Sequence, residues 1–345
     1  MKIIIIPDIH GSHEWRKVKN IPESDYDFAV FLGDYFDDLE NEWPDQGNNA
    51  KEIFDWVRAN PSKRKALIGN HDFSYISASR DGSNVSGHQY NKSKDIRKII
   101  LGNYDIIDLL FEVDGWVISH AGVTNRWVSD VLHYLHMVLD KWPEDFYKRT
   151  EFSSKEEHES FIKNMSQNFE PWDESEFSTK FLNDYWHRVS HNLGDDNCHV
   201  AFEELLDWRG FFSSTGDEPM NSCLWVRPGS LLENAYYPKQ IVGHTQICIG
   251  EPVKLKSKKC NLVICDSRNR DIIQIFDTEE PGDDFITYTD WQRNTKKIEK
   301  TLNNILSQKI IDINKINDML LNVGVKKEIL PNYVQFLRRY DSFKG

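Results

Sequence analysis

Long apolar runs are missing from this 345-residue chain, and no window reaches the roughly 18 consecutive apolar residues that a membrane-spanning helix needs. The first residues, MKIIIIPDIHG, hold four isoleucines before a proline, too short a run for the core of a secretory leader. Cysteine is scarce. The five cysteines, Cys198, Cys223, Cys248, Cys260 and Cys265, all lie in the second half with no CxxC spacing. That speaks against a disulfide framework or a thiolate zinc site and suits reduced thiols. Long basic stretches are also lacking. With a formal net charge of −13, the chain has no electrostatic footprint of a duplex-binding surface. Internal repeats and low-complexity segments are absent too. Together these absences leave a cytoplasmic globular protein, with neither membrane nor nucleic acid as its expected partner.

What is present suits a large packed core, since 39% of the residues are hydrophobic. In the first third, short apolar runs alternate with polar, helix-compatible stretches: Ile3 to Ile6, Phe28 to Leu32, Ala66 to Ile68 and Trp116 to Ser119. Such alternation predicts α/β architecture. From about Asn125 to Ser222 the sequence turns Trp-rich, acidic and helix-compatible, which predicts an inserted helical cap. Strand-like runs return at Leu224 to Val226, Gln240 to Val242, Asn261 to Cys265 and Ile272 to Phe276. The expected division is a core over 1–122 and 223–278, a helical insertion over 123–222 and a helical C-terminal extension over 279–345. Within the extension Ile298, Leu302, Ile305, Ile310, Ile313 and Ile316 recur every three to five residues, the spacing of amphipathic helices.

Five of the predicted strands run directly into loops that carry metal-binding side chains. The first gives Asp8 and His10, two residues apart, so that a carboxylate and an imidazole leave the strand side by side and can reach one ion. The second gives Gly33, Asp34 and Asp37; the glycine permits a steep turn, and the two oxygens of Asp34 can bridge two metals. The third gives Asn70, an amide oxygen, with His71 beside it. The fourth and fifth give His120 and His244. Each fragment alone is ordinary turn chemistry. Five in order, on strand ends, are the arrangement in which α/β proteins place their sites.

The ordered set DIHG, GDYFD, GNHD, SHAG and VGHT resembles the calcineurin-like metallophosphoesterases, within them the branch of serine/threonine protein phosphatases and bacterial diadenosine tetraphosphatases. The resemblance covers the chain to about Gly122 and from Leu224 to Asp277. It implies a sandwich of mixed β-sheets flanked by helices. It also implies two divalent ions, the first held by Asp8, His10 and Asp34 and the second by Asp34, Asn70, His120 and His244. Manganese is the expected ion, with iron or zinc as other fits to a mixed donor set without thiolate. By the same resemblance His71 is the catalytic histidine that protonates the leaving oxygen, and Asp37 orients it. Arg227, in LWVRP, matches a phosphate-binding arginine. A phosphorylated substrate, either phosphoprotein or dinucleoside polyphosphate, is the implied partner.

Four positions depart from or narrow that pattern. Gln246 stands where many other branches carry the last histidine of GHxH, which points away from an Mre11-like nuclease. Asp38 and Ile68 stand where the protein phosphatases have phosphate-gripping arginines, and Asp72 stands where they have glutamate. Two competing readings follow from the lost arginines: a phosphodiesterase, nuclease or cyclic nucleotide hydrolase, and a phosphate-binding scaffold without turnover. Outside the motifs, His133, His136, His187 and His191 are expected on helix faces. Trp142, Trp172, Trp186 and Trp208 are expected as the core of the cap rather than a base-stacking lid, and the lysines from Lys254 to Lys259 as a solvated turn.

Overall fold

The computed structural model describes residues 1–38, 45–77, 85–131, 179–189, 217–247, 252–266, 274–282, 284–308 and 312–334, with isolated positions at 154, 156, 157, 160, 206 and 337. Strand β1 (Lys2–Ile6) has its four isoleucines buried on both faces, as a strand inside a covered parallel sheet requires. It pairs in parallel with β2 (Phe28–Phe31), β2 pairs with β3 (Arg64–Leu67), and β3 pairs with the two-residue β4 (Ile107–Asp108). Strand β10 (Gln274–Asp277) closes the other edge of this sheet in antiparallel sense.

The second sheet has the order β5-β6-β7-β9-β8, from β5 (Leu110–Val113), β6 (Trp116–Ser119), β7 (Lys239–Val242), β8 (Val253–Lys256) and β9 (Asn261–Ile264). Alternation of side chains along each strand assigns them to different cores. Ile3, Ile5, Val30 and Leu32 cluster with Ile118, Ile241 and Val263 between the sheets. Ile4, Ile6 and Phe31 instead pack outward against helices α1 (Asp45–Ala59) and α3 (Ser93–Leu101), through Ile53, Phe54, Ile96 and Ile100. On the far side, Val242, Leu262 and Ile264 cluster with Leu231 and Leu232 of α5 (Pro228–Asn234). The result is two mixed sheets face to face, flanked by helices. The short α2 (Asn70–Ile76) leaves β3 directly into the site.

Of the stretch expected as a helical insertion, the described part is chiefly residues 123–131, α4 (Thr179–Val189) and 217–222. Helix α4 lies against β4 and β5. Asn183 Oδ1 accepts the N–H groups of Leu109 and Leu110 at 3.0 and 3.1 Å, and Asn183 Nδ2 donates to the Leu110 carbonyl at 2.6 Å. One amide side chain thus satisfies backbone groups where the chain passes from one sheet to the other. Trp186 is fully buried and donates its indole N–H to Ile107 O, and His187 bonds Asp108 at 2.7 Å, so both serve packing. Trp142, Trp172, Trp208, His133, His136 and His191 lie outside the described residues.

Two segments differ from the sequence-based expectation. Leu224 to Val226 is not a strand: the N–H groups of Trp225 and Val226 both turn back to Ser222 O, a closed turn that leaves no ladder to join. The lysine-rich stretch begins as β8, where Lys254 bonds Asp284 and Pro281 O at 2.7 Å, and the turn is confined to residues 257–260. The C-terminal helices α6 (Tyr288–Ser307) and α7 (Ile313–Leu321) form as their periodicity predicts. Their apolar faces build a separate small core of Leu302, Ile305, Ile316, Leu320, Val325 and Tyr333, while Tyr288 and Trp291 rest on the outer core of the second sheet. Among the described residues no helix is long and apolar enough to cross a membrane.

Replacing Asn183 with alanine strands two partly buried N–H groups and one carbonyl. We expect the unfolding free energy to fall by about 2 kcal/mol. Urea denaturation reads this as an earlier midpoint, and an unmoved midpoint would show that the amide contributes nothing.

Candidate metal centre

The carboxyl ends of β1, β2, β3, β6 and β7 bring their loops together where the two sheets meet. Backbone bonds stitch these loops into one unit: His10 N–H to Asp34 O at 2.6 Å, Gly11 N–H to Tyr35 O at 3.1 Å, and Gly243 N–H to His120 O at 2.8 Å. Two further bonds cross between the sheets. His120 Nδ1–H donates to Leu32 O at 2.8 Å, and the His244 N–H donates to the Asp8 carboxylate at 3.1 Å.

The backbone is bent hardest here. Among the described residues five that are not glycine have positive φ, and four of them are His10 (41°), Asp34 (53°), Asp37 (68°) and His244 (56°). Each such conformation costs an L-residue of order 1 kcal/mol or more and persists only where its surroundings hold it. Two glycines make room. A Cβ on Gly69 would run into the Asp34 side chain, and one on Gly243 into the Asp8 carboxylate.

Of the nine expected site residues, six gather their side chains around a seventh, Asp34, while Asp37 and Arg227 stand behind that cluster. His10 Nε2 lies 3.6 Å and His120 Nε2 3.7 Å from the same oxygen, Asp34 Oδ2. Asp8, Asp34 and His120 have donor atoms within 4.8 Å of one another, as do His10, Asp34 and His71. Asn70 Oδ1 is approached by His120 Nε2 at 2.7 Å and by His244 Nδ1 at 3.1 Å. Asp37 stands behind His71, taking the His71 Nδ1–H on Oδ2 at 2.8 Å. Arg227, just before α5, donates to His244 O at 3.0 Å and to Thr245 Oγ1 at 3.3 Å, which ties it to the fifth loop.

The protonation pattern is that of a cation site. His10 Nδ1 faces Phe36 O at 3.0 Å and His120 Nδ1 faces Leu32 O; a carbonyl only accepts, so in each ring Nδ1 carries the hydrogen. Both rings turn Nε2 toward the Asp34 carboxylate, and His120, whose burial disfavours its charged form, turns it toward the Asn70 oxygen as well. Acceptor facing acceptor repels. A cation between them reverses the sign, and a ring N–H held by a carbonyl is the usual support for a metal-binding histidine. The 3.6 and 3.7 Å separations from Asp34 exceed a hydrogen bond and leave room for an ion between the donors, whereas His120 Nε2 and Asn70 Oδ1, 2.7 Å apart, are within hydrogen-bond distance. Burial pushes both His120 and His244 below their ordinary values, the Arg227 guanidinium adding to the effect on His244, so neither ring offers Asp34 a charge near pH 7. Burial also drives Asp8 upward, helped by the nearby carboxylates of Asp266 and Asp34. The crowded carboxylates fit a pair of divalent ions.

His71 behaves oppositely. Burial opposes its charged form, but the Asp34 carboxylate and the bond to Asp37 outweigh burial and raise it. Burial lowers the Arg227 guanidinium, which still has the Asp8, Asp217, Asp266 and Asp34 carboxylates around it.

The family model for calcineurin-like phosphoesterases matches residues 1–209, well over half the chain. The chain belongs to the calcineurin-like phosphoesterases. Membership supports a metal-dependent phosphoesterase, and the matched span contains every site residue except Arg227 and His244, which the geometry adds. No curated protein sequence matches this calcineurin-like phosphoesterase. A solved structure described as the cold-active protein-tyrosine phosphatase of a psychrophile, Shewanella sp., is similar at 15% identity over 78% of this chain and 72% of that one. Its TM-score of 0.37 is too low to carry any argument.

Three contributions to the site escaped sequence reasoning. Asp72 is fully buried, and its carboxylate accepts the N–H groups of Asp34, Tyr35 and Gly69 at 2.7, 2.8 and 3.0 Å, clamping the second loop to the third. Asp266, just past β9, neighbours Asp8 and Arg227. It follows a sixth apolar strand end, so the same pattern that found the other loops could have found it. Tyr75 donates its hydroxyl hydrogen to Asp37 Oδ1, a contact between residues 38 apart in sequence that no local pattern announces.

Gly69→Ala places a methyl group against Asp34 without removing any ligand. We expect Mn²⁺ affinity, measured by calorimetric titration, to weaken at least tenfold, an order of magnitude typical when the support of a ligand is disturbed. Wild-type affinity in a folded variant would show that Asp34 is not held at the ion position.

Proposed function

We propose that the protein hydrolyses a phosphate ester using two divalent ions, one at Asp8, His10 and Asp34 and one at Asp34, Asn70, His120 and His244. The observation that carries this reading is the aim of two imidazole Nε2 atoms, from loops of different sheets, at one oxygen of Asp34. Oxygen and imidazole donors without thiolate suit Mn²⁺, and also iron or Zn²⁺. Bound there, the ions would acidify a water and offset charge on the phosphoryl oxygens.

The chain's own side chains supply the rest. Asp34, in reach of both ligand sets, fixes their spacing. His71, whose imidazolium form Asp34 and Asp37 favour, presents its other ring nitrogen toward the cluster and gives a proton to the departing oxygen. Arg227, anchored to the His244 carbonyl, directs a guanidinium that can hold phosphoryl oxygens. Phosphoproteins and dinucleoside polyphosphates are the substrates this reading favours.

One observation favours a second reading. Asp38 is 8% exposed beside the Gly11 turn, where the resembled phosphatases carry an arginine, and Ile68 at the end of β3 is wholly buried. A carboxylate there disfavours a dianionic monoester and is better tolerated by the single charge of a phosphodiester.

With Mn²⁺ present, p-nitrophenyl phosphate should turn over faster than bis-p-nitrophenyl phosphate if the first reading holds, and slower if the second does. His71→Ala should reduce kcat on the better substrate by about 10² to 10⁴, with metal still bound. Near-normal turnover by that variant would remove His71 from the mechanism.

Removing metal should also be visible in stability. At a hundredfold excess over its dissociation constant, Mn²⁺ should stabilise the fold by about 2.7 kcal/mol and raise Tm. A chelator should reverse the gain, and a Tm indifferent to both would contradict the ion pair.

A further inference from the structure

The His71–Asp37 pair does not end at Asp37. Its second oxygen, Oδ1, accepts the hydroxyl hydrogen of Tyr75, while Oδ2 accepts from His71. Tyr75 lies in α2 one helical turn beyond His71, so a single rigid helix sets both partners of the carboxylate. The tyrosine is itself fixed. The Gln89 N–H donates to its hydroxyl oxygen at 2.8 Å, which leaves the hydroxyl hydrogen for Asp37. The His88 ring is stacked on it with centroids 4.2 Å apart and planes 14° from parallel. Ser74, between the two α2 residues, donates to His71 O at 2.6 Å and lies 3.2 Å from His88 Nδ1, so the same segment braces the backbone of His71. Asp37 itself has positive φ and is buried, so its carboxylate direction rests on what it bonds.

We infer that Tyr75 is a positioning residue for the proton-donating dyad, holding the Asp37 carboxylate so that its other oxygen keeps the His71 ring in register with the leaving group. The inference rests on the hydrolytic reading above. A carboxylate bonded at one oxygen only can swing about its Cβ–Cγ bond. Bonded at both, to two side chains of one helix, it cannot turn without breaking a buried hydrogen bond to a charged group, the stronger kind. Proton donation matters most when the departing oxygen is basic, so the effect of loosening Asp37 grows with leaving-group pKa.

Tyr75→Phe removes the hydroxyl and keeps the ring that His88 stacks on. With Mn²⁺, kcat should drop about tenfold or more on phenyl phosphate, a poor leaving group, and much less on 2,4-dinitrophenyl phosphate, with KM little changed. In an Asp37→Asn background the same change should have no further effect, because Tyr75 acts only through that carboxylate. Equal losses on both esters, or an added loss in the Asp37→Asn background, would overturn the inference in favour of a general structural role.

A second readout does not depend on turnover. In metal-free protein labelled at histidine, the His71 Nδ1–H should give a downfield, exchange-protected proton resonance. It should vanish in Asp37→Asn and broaden by faster exchange in Tyr75→Phe. An unchanged resonance in Tyr75→Phe refutes the inference even if no ester is hydrolysed, whereas wild-type inactivity with the expected spectrum refutes only the hydrolytic reading.

Discussion

Acidic groups are buried together where the two sheets of this protein meet, and the arrangement of the rest follows from managing the cost of their charge. Asp8, Asp34, Asp37, Asp72 and Asp266 all lie under the surface around the meeting line of the two sheets. Against them stand the Arg227 guanidinium and His71, whose charged form the neighbouring carboxylates favour, while burial disfavours the charged forms of His120 and His244. Carboxylates buried without enough countercharge are costly. The fold relieves this in two ways: it surrounds Asp72 with three N–H donors, and it leaves the lone pairs around Asp34 arranged for cations. A cation bound there would add its binding energy to the stability of the fold.

Strain is concentrated at the same place. Positive φ at His10, Asp34, Asp37 and His244 means that four residues of the candidate site occupy backbone conformations their side chains disfavour. The strands behind them hold the loops there. β1, β2 and β3 are parallel and buried on both sides, so their carboxyl ends are fixed relative to one another, and cross-sheet bonds from His120 and His244 fix the second sheet to the first. A looser scaffold would let those loops relax into ordinary turns. Rigid apolar strands and a polar, strained edge are therefore two halves of one design.

Much of this was legible in the sequence because both halves leave local marks. Parallel strands covered on both faces must be continuously apolar, so Ile3 to Ile6 and Phe28 to Leu32 stood out. Ligand loops must follow them directly, so Asp8, His10, Asp34, Asn70, His120 and His244 could be read in order. β4 and β5 were not read because a two-residue strand has no period and the middle of β5 is not buried; β8 was hidden by its lysines, whose charged ends reach Asp284 and solvent. Tyr75 and Asp72 were missed for another reason. Their value lies in contacts to residues nearly forty positions away, and α2 creates those contacts only by docking against the second loop.

Under the proposed hydrolytic reading, the absence of the two arginines of the resembled phosphatases changes how the site would handle phosphate. With Asp38 and Ile68 in their places, protein cations contribute less to holding the substrate, and Arg227 approaches from the opposite sheet, tied to the His244 loop. In that reading more of the substrate's charge would be met by bound ions. Anything that shifts those ions, including the Gly69 and Gly243 contacts that confine Asp34 and Asp8, acts on substrate affinity as well as on the chemical step. If the proposed reading holds, coupling of binding and turnover to one cluster would favour phosphoryl groups that reach the ions directly, since a substrate dependent on remote arginine contacts would find little here to grip.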